Sequence, residues 1–172
     1  MRTRTWLFVG MIAVAGSFVA AQTTRQMGAL AVRDKAPTDK AIDLTDEELV
    51  TVAKAMPGQN LATTRLLEGG FYSVNIRRLT GPETAHLHPV GLTIYVIREG
   101  SATLVTGGTI VDAKGQPTGG KPGDDIKGGV MRTVKPGDII VTPPGVPHFM
   151  RDVKDHIVFM NLVFGEQAQQ QK

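Results

Sequence analysis

Short apolar segments separated by turn-forming residues constrain the fold of this chain more than any other feature of its sequence. Six segments rich in β-branched and aromatic residues follow Gly69-Gly70, with glycine, proline or aspartate between them. They span residues 71–79, 92–98, 102–105, 130–134, 138–141 and 157–164. The 20 glycines and 10 prolines among 172 residues are typical of many tight turns and do not suit a helical bundle. Evenly spaced short strands predict an all-β sandwich or barrel.

One short helix is predicted before these strands. Thr45 and Glu48 have the spacing of a capping box, and Pro57-Gly58 ends the helical pattern after Met56. We expect this helix to cover an open end or edge of the sheet. The preceding residues 22–40 are small and polar without a sustained period, which predicts a flexible lead-in.

The N-terminal segment has the layout of a signal peptide. Arg2 and Arg4 precede an uncharged apolar run at residues 6–21, and small residues at 19–21 suit a signal peptidase. The run has 16 residues, whereas a membrane-spanning helix needs about 20. We therefore expect cleavage between Ala21 and Gln22 and a periplasmic or secreted protein without a stable membrane anchor. The chain has no cysteine, so neither a disulfide nor a lipid attached to cysteine is expected.

These patterns divide the chain into four parts: a signal peptide (1–21), a lead-in with the short helix (22–64), a barrel domain (65–166) and a disordered Gln-rich tail (167–172). Within the barrel, residues 107–129 are polar and rich in turn formers. They predict a long hairpin loop. A solvated surface excursion is the favoured interpretation, and an active-site lid is the alternative.

The distribution of charge does not suggest a nucleic-acid partner. The formal net charge is +3, and it falls to +1 without the signal peptide, which holds two arginines and no acidic residue. The remaining basic residues are scattered singly or in pairs, without the clustering that a nucleic-acid surface requires.

Three of the four histidines form a candidate metal site. His86 and His88 are two residues apart, so on a strand both side chains point to one face. His148 follows a predicted strand and a Pro-Gly turn that deliver it toward the barrel interior. Three neutral imidazole nitrogens can then hold one divalent ion. The alternative is a histidine cluster that only packs in the interior.

Two motifs around these histidines resemble the two motifs of the cupin superfamily. In the second motif, Gly137, Pro143, Gly145 and His148 stand at the family spacing, with Asp152 in place of the final asparagine. In the first motif, His86, His88 and Gly100 stand in place, and Gly81 is one residue too close to His86. The resemblance implies a double-stranded β-helix, or jelly-roll barrel, with a metal ion near one mouth. It also implies dimer formation, since cupins often form homodimers through edge strands.

Thr93 is the main departure from the family pattern. It stands four residues after His88 and six before Gly100, where the family usually carries a glutamate ligand. A threonine hydroxyl is a poor ligand for a divalent metal, so a three-histidine site with open positions is expected. Thr93 then lines the pocket. The resemblance leaves the metal open among iron, zinc, manganese, nickel and copper.

Other side chains are candidates for the same pocket. Tyr95 shares strand parity with Thr93, so it is a candidate acid/base group or a packed core residue. Glu83 is a candidate acid/base group or substitute ligand, although a solvated turn residue is the favoured interpretation. Only one of the adjacent residues Arg77 and Arg78 can face the cavity. His156 lies outside both motifs, and we expect it at the surface or at an edge.

Two classes of function are compatible with these features. The first is an exported metalloenzyme of dioxygenase, isomerase or lyase type that acts on a small anionic organic compound, because three neutral ligands leave the full charge on the ion. The second is a non-catalytic module that binds a small molecule or a metal. A fold shared by many chemistries does not decide between them.

Overall fold

The computed structural model describes residues 30–36, 39–56 and 61–165. The predicted signal peptide, the first part of the lead-in and the predicted tail lie outside these residues. Within them the chain forms strands and one short helix, which confirms the all-β prediction. No helix in these ranges is long and apolar enough to cross a membrane. The elements are β1 (Leu30–Lys35), α1 (Asp46–Ala55), β2 (Leu61–Glu68), β3 (Tyr72–Leu79), β4 (Leu92–Thr106), β5 (Thr109–Val111), β6 (Asp125–Lys127), β7 (Val130–Val134), β8 (Ile139–Thr142) and β9 (His148–Phe164).

Two long strands, β4 and β9, form the centre of the barrel. The main sheet has the order β1-β2-β3-β9-β4-β7, and β8 also pairs with β4. One side of β4 pairs with β9 along most of its length, and the other side pairs first with β8 and then with β7. Only the β1–β2 pairing is parallel among these contacts.

A bulge joins two strands that the sequence predicts as separate. Residues 92–98 and 102–105 both belong to β4, whose pairing with β9 shifts in register around Gly100. Gly100 has φ of 73°, and a Cβ atom there would lie 1.9 Å from the carbonyl oxygen of His156. The glycine therefore permits a close approach of two strands and does not form a turn. Similarly, the predicted strand 157–164 is the second half of β9.

Two strands near the N-terminus were not predicted. β1 lies within the expected flexible lead-in, and β2 begins four residues before the expected start of the barrel at residue 65. β1 is held by its pairing with β2, which is distant in sequence. β2 is held between β1 and β3. Local periodicity does not reveal such pairing, because β2 carries charged and helix-favouring residues, although half of its residues are buried.

Helix α1 covers the outer face of the sheet, not an end or edge as expected. The predicted capping box is confirmed, with Thr45 as N-cap and reciprocal contacts to Glu48. Leu49 and Ala53 are buried against apolar residues of β2, β3 and β9. A second apolar cluster fills the barrel interior and includes Leu79, Tyr95, Ile97, Leu104, Met150, Ile157 and Phe159.

The excursion at residues 107–129 forms the predicted hairpin, with β5 and β6 as its strands, and most of its residues are exposed. It differs from a purely solvated loop because a few of its apolar side chains pack into the core. Ile110 and Ile126 are buried against Ala85 and Phe149. The connection between the two strands is polar and mostly exposed, and there Asp112 accepts hydrogen bonds from two backbone N–H groups. The apolar side chains of the hairpin are isolated among turn formers in the sequence, which hides their contribution to the core.

Candidate metal centre

Backbone pairing holds the first two histidines in place. Ala85 exchanges two hydrogen bonds of 2.9 Å with Gly123 of the excursion, and His86 exchanges two with His148 at the start of β9. The carbonyl of His88 accepts a further hydrogen bond, of 2.7 Å, from Gly145 N–H. Residues 85–88 are thus held between the excursion and the turn that precedes His148. Pairing on both sides, and not a regular strand, sets their direction.

The three histidine side chains converge. Their ring centroids are 4.4 Å apart for His86 and His148, 5.1 Å for His86 and His88, and 5.4 Å for His88 and His148. One ring nitrogen of each lies within 4.8 Å of those of the others. Two nitrogens bound to one tetrahedral ion are about 3.3 Å apart, so small ring rotations bring the three to coordinating distance. His148 is buried, whereas His86 and His88 are half-buried, which places the cluster where the interior meets solvent.

Hydrogen bonds fix the tautomers of two rings. His86 Nδ1 lies 2.8 Å from the carbonyl oxygen of Thr84, and His148 Nδ1 lies 2.8 Å from that of Val146. A carbonyl only accepts, so each Nδ1 carries the proton and each Nε2 keeps a lone pair. His148 Nε2 is buried without a hydrogen-bond partner in the described ranges. A buried lone pair that faces two other imidazoles fits a metal ligand.

Burial keeps these rings neutral. It lowers the pKa of His148 to about 4, helped by the neighbouring His86, and it also lowers the pKa of His86 below its ordinary value. A protonated imidazole has no lone pair for a metal, so neutral rings at pH 7 are the form that binds one.

Glu83 is buried beside the histidines, so its interpretation as a solvated turn residue is wrong. Its Oε1 lies 2.9 Å from Arg77 Nη1 in an ion pair that lacks hydrogen-bond alignment, and its Oε2 accepts the backbone N–H of Met150 at 3.1 Å. Arg77 is the arginine that faces the interior, and its guanidinium lies 5.7 Å from the ring centroid of Phe159. With both oxygens engaged, Glu83 is not one of the three converging ligands.

Tyr95 and Thr93 both face the interior, as their shared parity predicts. Tyr95 is buried between His148 and Phe159, with ring centroids 5.9 Å and 5.4 Å away. Burial raises the pKa of Tyr95 above its ordinary value. The hydroxyls of Tyr95 and Thr93 lack a hydrogen-bond partner among the described residues. Thr142 lies directly opposite Thr93, and its hydroxyl also lacks a hydrogen-bond partner among the described residues. It was not identified from the sequence, although alternation along β8 places its side chain on the same face as the buried Ile140.

His156 lies apart from this cluster, on the surface of the barrel. Its Nδ1 lies 2.7 Å from Asp155 Oδ2 and its Nε2 lies 2.9 Å from Glu99 Oε1, and its side chain is 21% exposed. Both nitrogens are therefore engaged with carboxylates and neither is directed into the barrel.

The fold and the site together define a jelly-roll barrel protein with a candidate metal centre where its interior meets solvent. A family model described as Cupin matches residues 45–172, and the chain belongs to the cupin family. The resemblance expected from the two histidine motifs is thereby confirmed.

Solved structures share the fold at low sequence identity. A conserved protein with a double-stranded β-helix domain from Klebsiella pneumoniae is 17% identical, with 75% of this chain and 94% of that one covered and a TM-score of 0.53. TT1209 from Thermus thermophilus is 13% identical, with 72% and 98% covered and a TM-score of 0.50. These similarities show the jelly-roll fold alone. No curated protein matches the chain in sequence.

Proposed function

We propose that the chain binds one divalent metal ion on His86, His88 and His148. The observation that carries this proposal is His148 Nε2, which is buried without a partner and faces two other imidazoles. A cluster that only packed would leave this nitrogen unsatisfied, at a cost in folding free energy. The carbonyl bonds at Nδ1 support the same role, because metal-binding histidines usually donate their second ring N–H to such a partner.

The chemistry of the ligands favours anionic partners. Three neutral nitrogens leave the full charge of iron, zinc, manganese, nickel or copper uncompensated, and Glu83 is already paired with Arg77. A bound ion of this kind supplies Lewis-acid polarisation of a ligand oxygen. The substrate class that we propose is therefore a small anionic organic compound, converted by a dioxygenase, isomerase or lyase reaction.

Two interior side chains have different proposed roles. Tyr95 stays protonated because burial raises its pKa, so its hydroxyl donates a hydrogen bond to a bound substrate and does not act as a base. Glu83 positions Arg77 and the backbone of Met150.

A second candidate is a non-catalytic binding module. The engagement of both Glu83 oxygens and the burial of Tyr95 favour it, because neither group is poised to exchange a proton. The two candidates predict the same metal and anion binding. They differ in whether a bound ligand is chemically changed.

Export is also part of the proposal. The charged start, apolar run and small residues at 19–21 support a mature chain that begins at Gln22. The intact mass of the protein recovered from a periplasmic or secreted fraction tests this. A mass that includes residues 1–21 would contradict it.

The proposed function is tested with the untagged mature chain, prepared metal-free and loaded separately with each of the five ions. Calorimetry with oxalate as a probe should show binding only to the loaded protein. Mass spectrometry of a panel of small hydroxy and oxo acids then separates the enzyme from the module. Equal oxalate binding with and without metal would contradict both candidates.

A further inference from the structure

Two threonine hydroxyls face each other inside the barrel. Thr93 on β4 lies directly opposite Thr142 on β8, and the two residues are 0% and 2% exposed. Neither hydroxyl oxygen has a hydrogen-bond partner within the described ranges, and the same holds for Tyr95, two residues after Thr93 on the same face. Three residues with unsatisfied hydroxyls therefore face the same interior wall, and two of them are directly opposite each other.

The hydroxyls of Thr93 and Thr142 give the fold no hydrogen bond within the described ranges. Valine has nearly the same shape as threonine, is equally β-branched and suits a strand at least as well. A buried hydroxyl without a partner costs folding free energy that valine would not. Such groups need a partner that arrives from outside the chain, either water or a bound molecule.

Buried polar side chains lie beside Tyr95, whereas Thr93 lies beside the apolar Val163. Across β9 and β3, the residues beside Thr93 and Tyr95 include Asn161, Asn75 and Ser73, which are buried and hydrogen-bonded to one another. One step further along β4, Ile97 lies beside Phe159. The hydroxyls thus adjoin a layer of buried polar side chains.

This layer adjoins the candidate metal centre. The Tyr95 ring contacts the ring of His148. Thr142 is the last residue of β8. The turn that follows contains Val146, whose carbonyl contacts His148, and leads to His148 at the start of β9. A ligand held at the histidines by an anionic group would extend its remaining atoms along this wall.

We infer that Thr93 and Thr142 select ligands whose carbon chain carries neutral oxygens, namely hydroxylated monocarboxylates. A hydroxyl both donates and accepts, so a threonine pair matches a ligand hydroxyl in either direction. The side chains directly beside the pair on β4, β8 and β9 are neutral, and the buried Arg65 near them is already engaged by Asn75 and Glu68. A second carboxylate at the far end of a ligand, away from the ion, would therefore lose its hydration without a free compensating charge. The inference rests on the proposed function for the position of the carboxylate.

The test compares glycerate with propionate, which has the same carboxylate and carbon number without the hydroxyls. Calorimetry on the metal-loaded full chain should show that wild type binds glycerate about tenfold more tightly, as two added hydrogen bonds predict. Thr93→Val with Thr142→Val should bring the ratio near one, chiefly by weakening glycerate binding. Thr103→Val is the matched control: Thr103 is half-buried and alternates with the buried residues Ala102 and Leu104, so its variant should keep the wild-type ratio.

A second measurement does not depend on metal. Without metal, the double valine variant should melt at the wild-type temperature or higher, because it loses two unsatisfied polar groups. A lower melting temperature would mean that the hydroxyls serve the fold, which overturns the inference. So would an unchanged glycerate preference in the double variant, or no preference in wild type.

If the double variant does not fold, the two serine variants should retain the preference and each single valine variant should reduce it. A wild type that binds no metal contradicts the proposed function, and the melting comparison still decides the role of the hydroxyls.

Discussion

His86 and His148 are paired residue to residue: each backbone N–H donates to the carbonyl oxygen of the other, at 3.2 and 2.8 Å. Their ring centroids lie 4.4 Å apart as a result. The two sequence motifs are therefore joined by the backbone itself, independently of any ligand. This pre-organisation reduces the entropy that ion binding would otherwise cost.

Leu87 should control the affinity of the site for metal without being a ligand. Its side chain packs against the apolar cluster under the excursion, so His86 and His88 point the opposite way, toward His148. Leu87→Ala should weaken zinc binding by about tenfold, the lower end of the effect of removing a group that orients a ligand. Competition with a chromophoric chelator measures this.

Leu162→Ala is the matched control, because Leu162 is also half-buried but packs in the cluster under α1. It should leave zinc affinity within about twofold of wild type, since it does not contact the histidine segment. Leu87→Met should restore most of the affinity. Equal losses in Leu87→Ala and Leu162→Ala would mean that general destabilisation, not orientation, causes the effect.

The buried ion pair of Arg77 and Glu83 should matter strongly for stability. The Glu83 side chain is 2% exposed and that of Arg77 is 14% exposed. Glu83→Gln leaves the guanidinium without its counter-charge and should lower the free energy of unfolding by about 3 kcal/mol, as expected when one partner of a buried pair is removed. Urea unfolding measures this.

The exposed pair of Asp46 and Arg98 provides the comparison. Its side chains are 76% and 33% exposed, so Asp46→Asn should cost less than about 1 kcal/mol. A cost for Glu83→Gln as small as that for Asp46→Asn would show that Arg77 is effectively solvated.

Stability should depend on pH through His156. Hydrogen bonds to Asp155 and then Glu99 raise its pKa in the folded chain above the ordinary value of 6.5. The folded state therefore holds this proton more tightly than the unfolded state does. Its stabilising contribution is fully present below about pH 6.5 and is lost as the pH rises through the folded pKa.

Melting temperatures of wild type and His156→Ala measure this contribution. The difference should be largest near pH 5.5, shrink above neutrality and decrease at high salt, because the side chains that hold His156 are exposed. Taking the difference between the two proteins removes the opposite pH dependence of His86 and His148, which both share. A difference that is constant between pH 5.5 and 9 would contradict the assigned charge pair.

The histidine motifs could be predicted from sequence because their information is local. The parity of Thr93 and Tyr95 follows from strand geometry, and the turn before His148 follows from its prolines and glycine. The structure agrees in both cases. The capping box of α1 is equally local, since its two residues are three positions apart.

Long-range packing explains the errors. Glu83 follows Pro82 in a segment that the sequence predicts as a turn. Its burial depends on the ion pair with Arg77 and on the backbone N–H of Met150, which is 67 residues away. Ile110 and Ile126 lie among turn formers, and their shared role depends on Ala85 and Phe149. In the sequence Gly100 resembles a turn residue. The structure shows that it lies within β4 and leaves room for the carbonyl of His156 on β9. Each of these three features depends on a contact with residues that are distant in the sequence.

The most direct test of the metal centre is zinc titration of the untagged, metal-free chain. Wild type should bind one equivalent. His148→Ala should lose at least tenfold in affinity, because it removes the buried nitrogen that faces the other two rings. His156→Ala should bind as wild type does, since both nitrogens of His156 are held by surface carboxylates. Zinc binding of equal strength in His148→Ala and His156→Ala would contradict the three-histidine site.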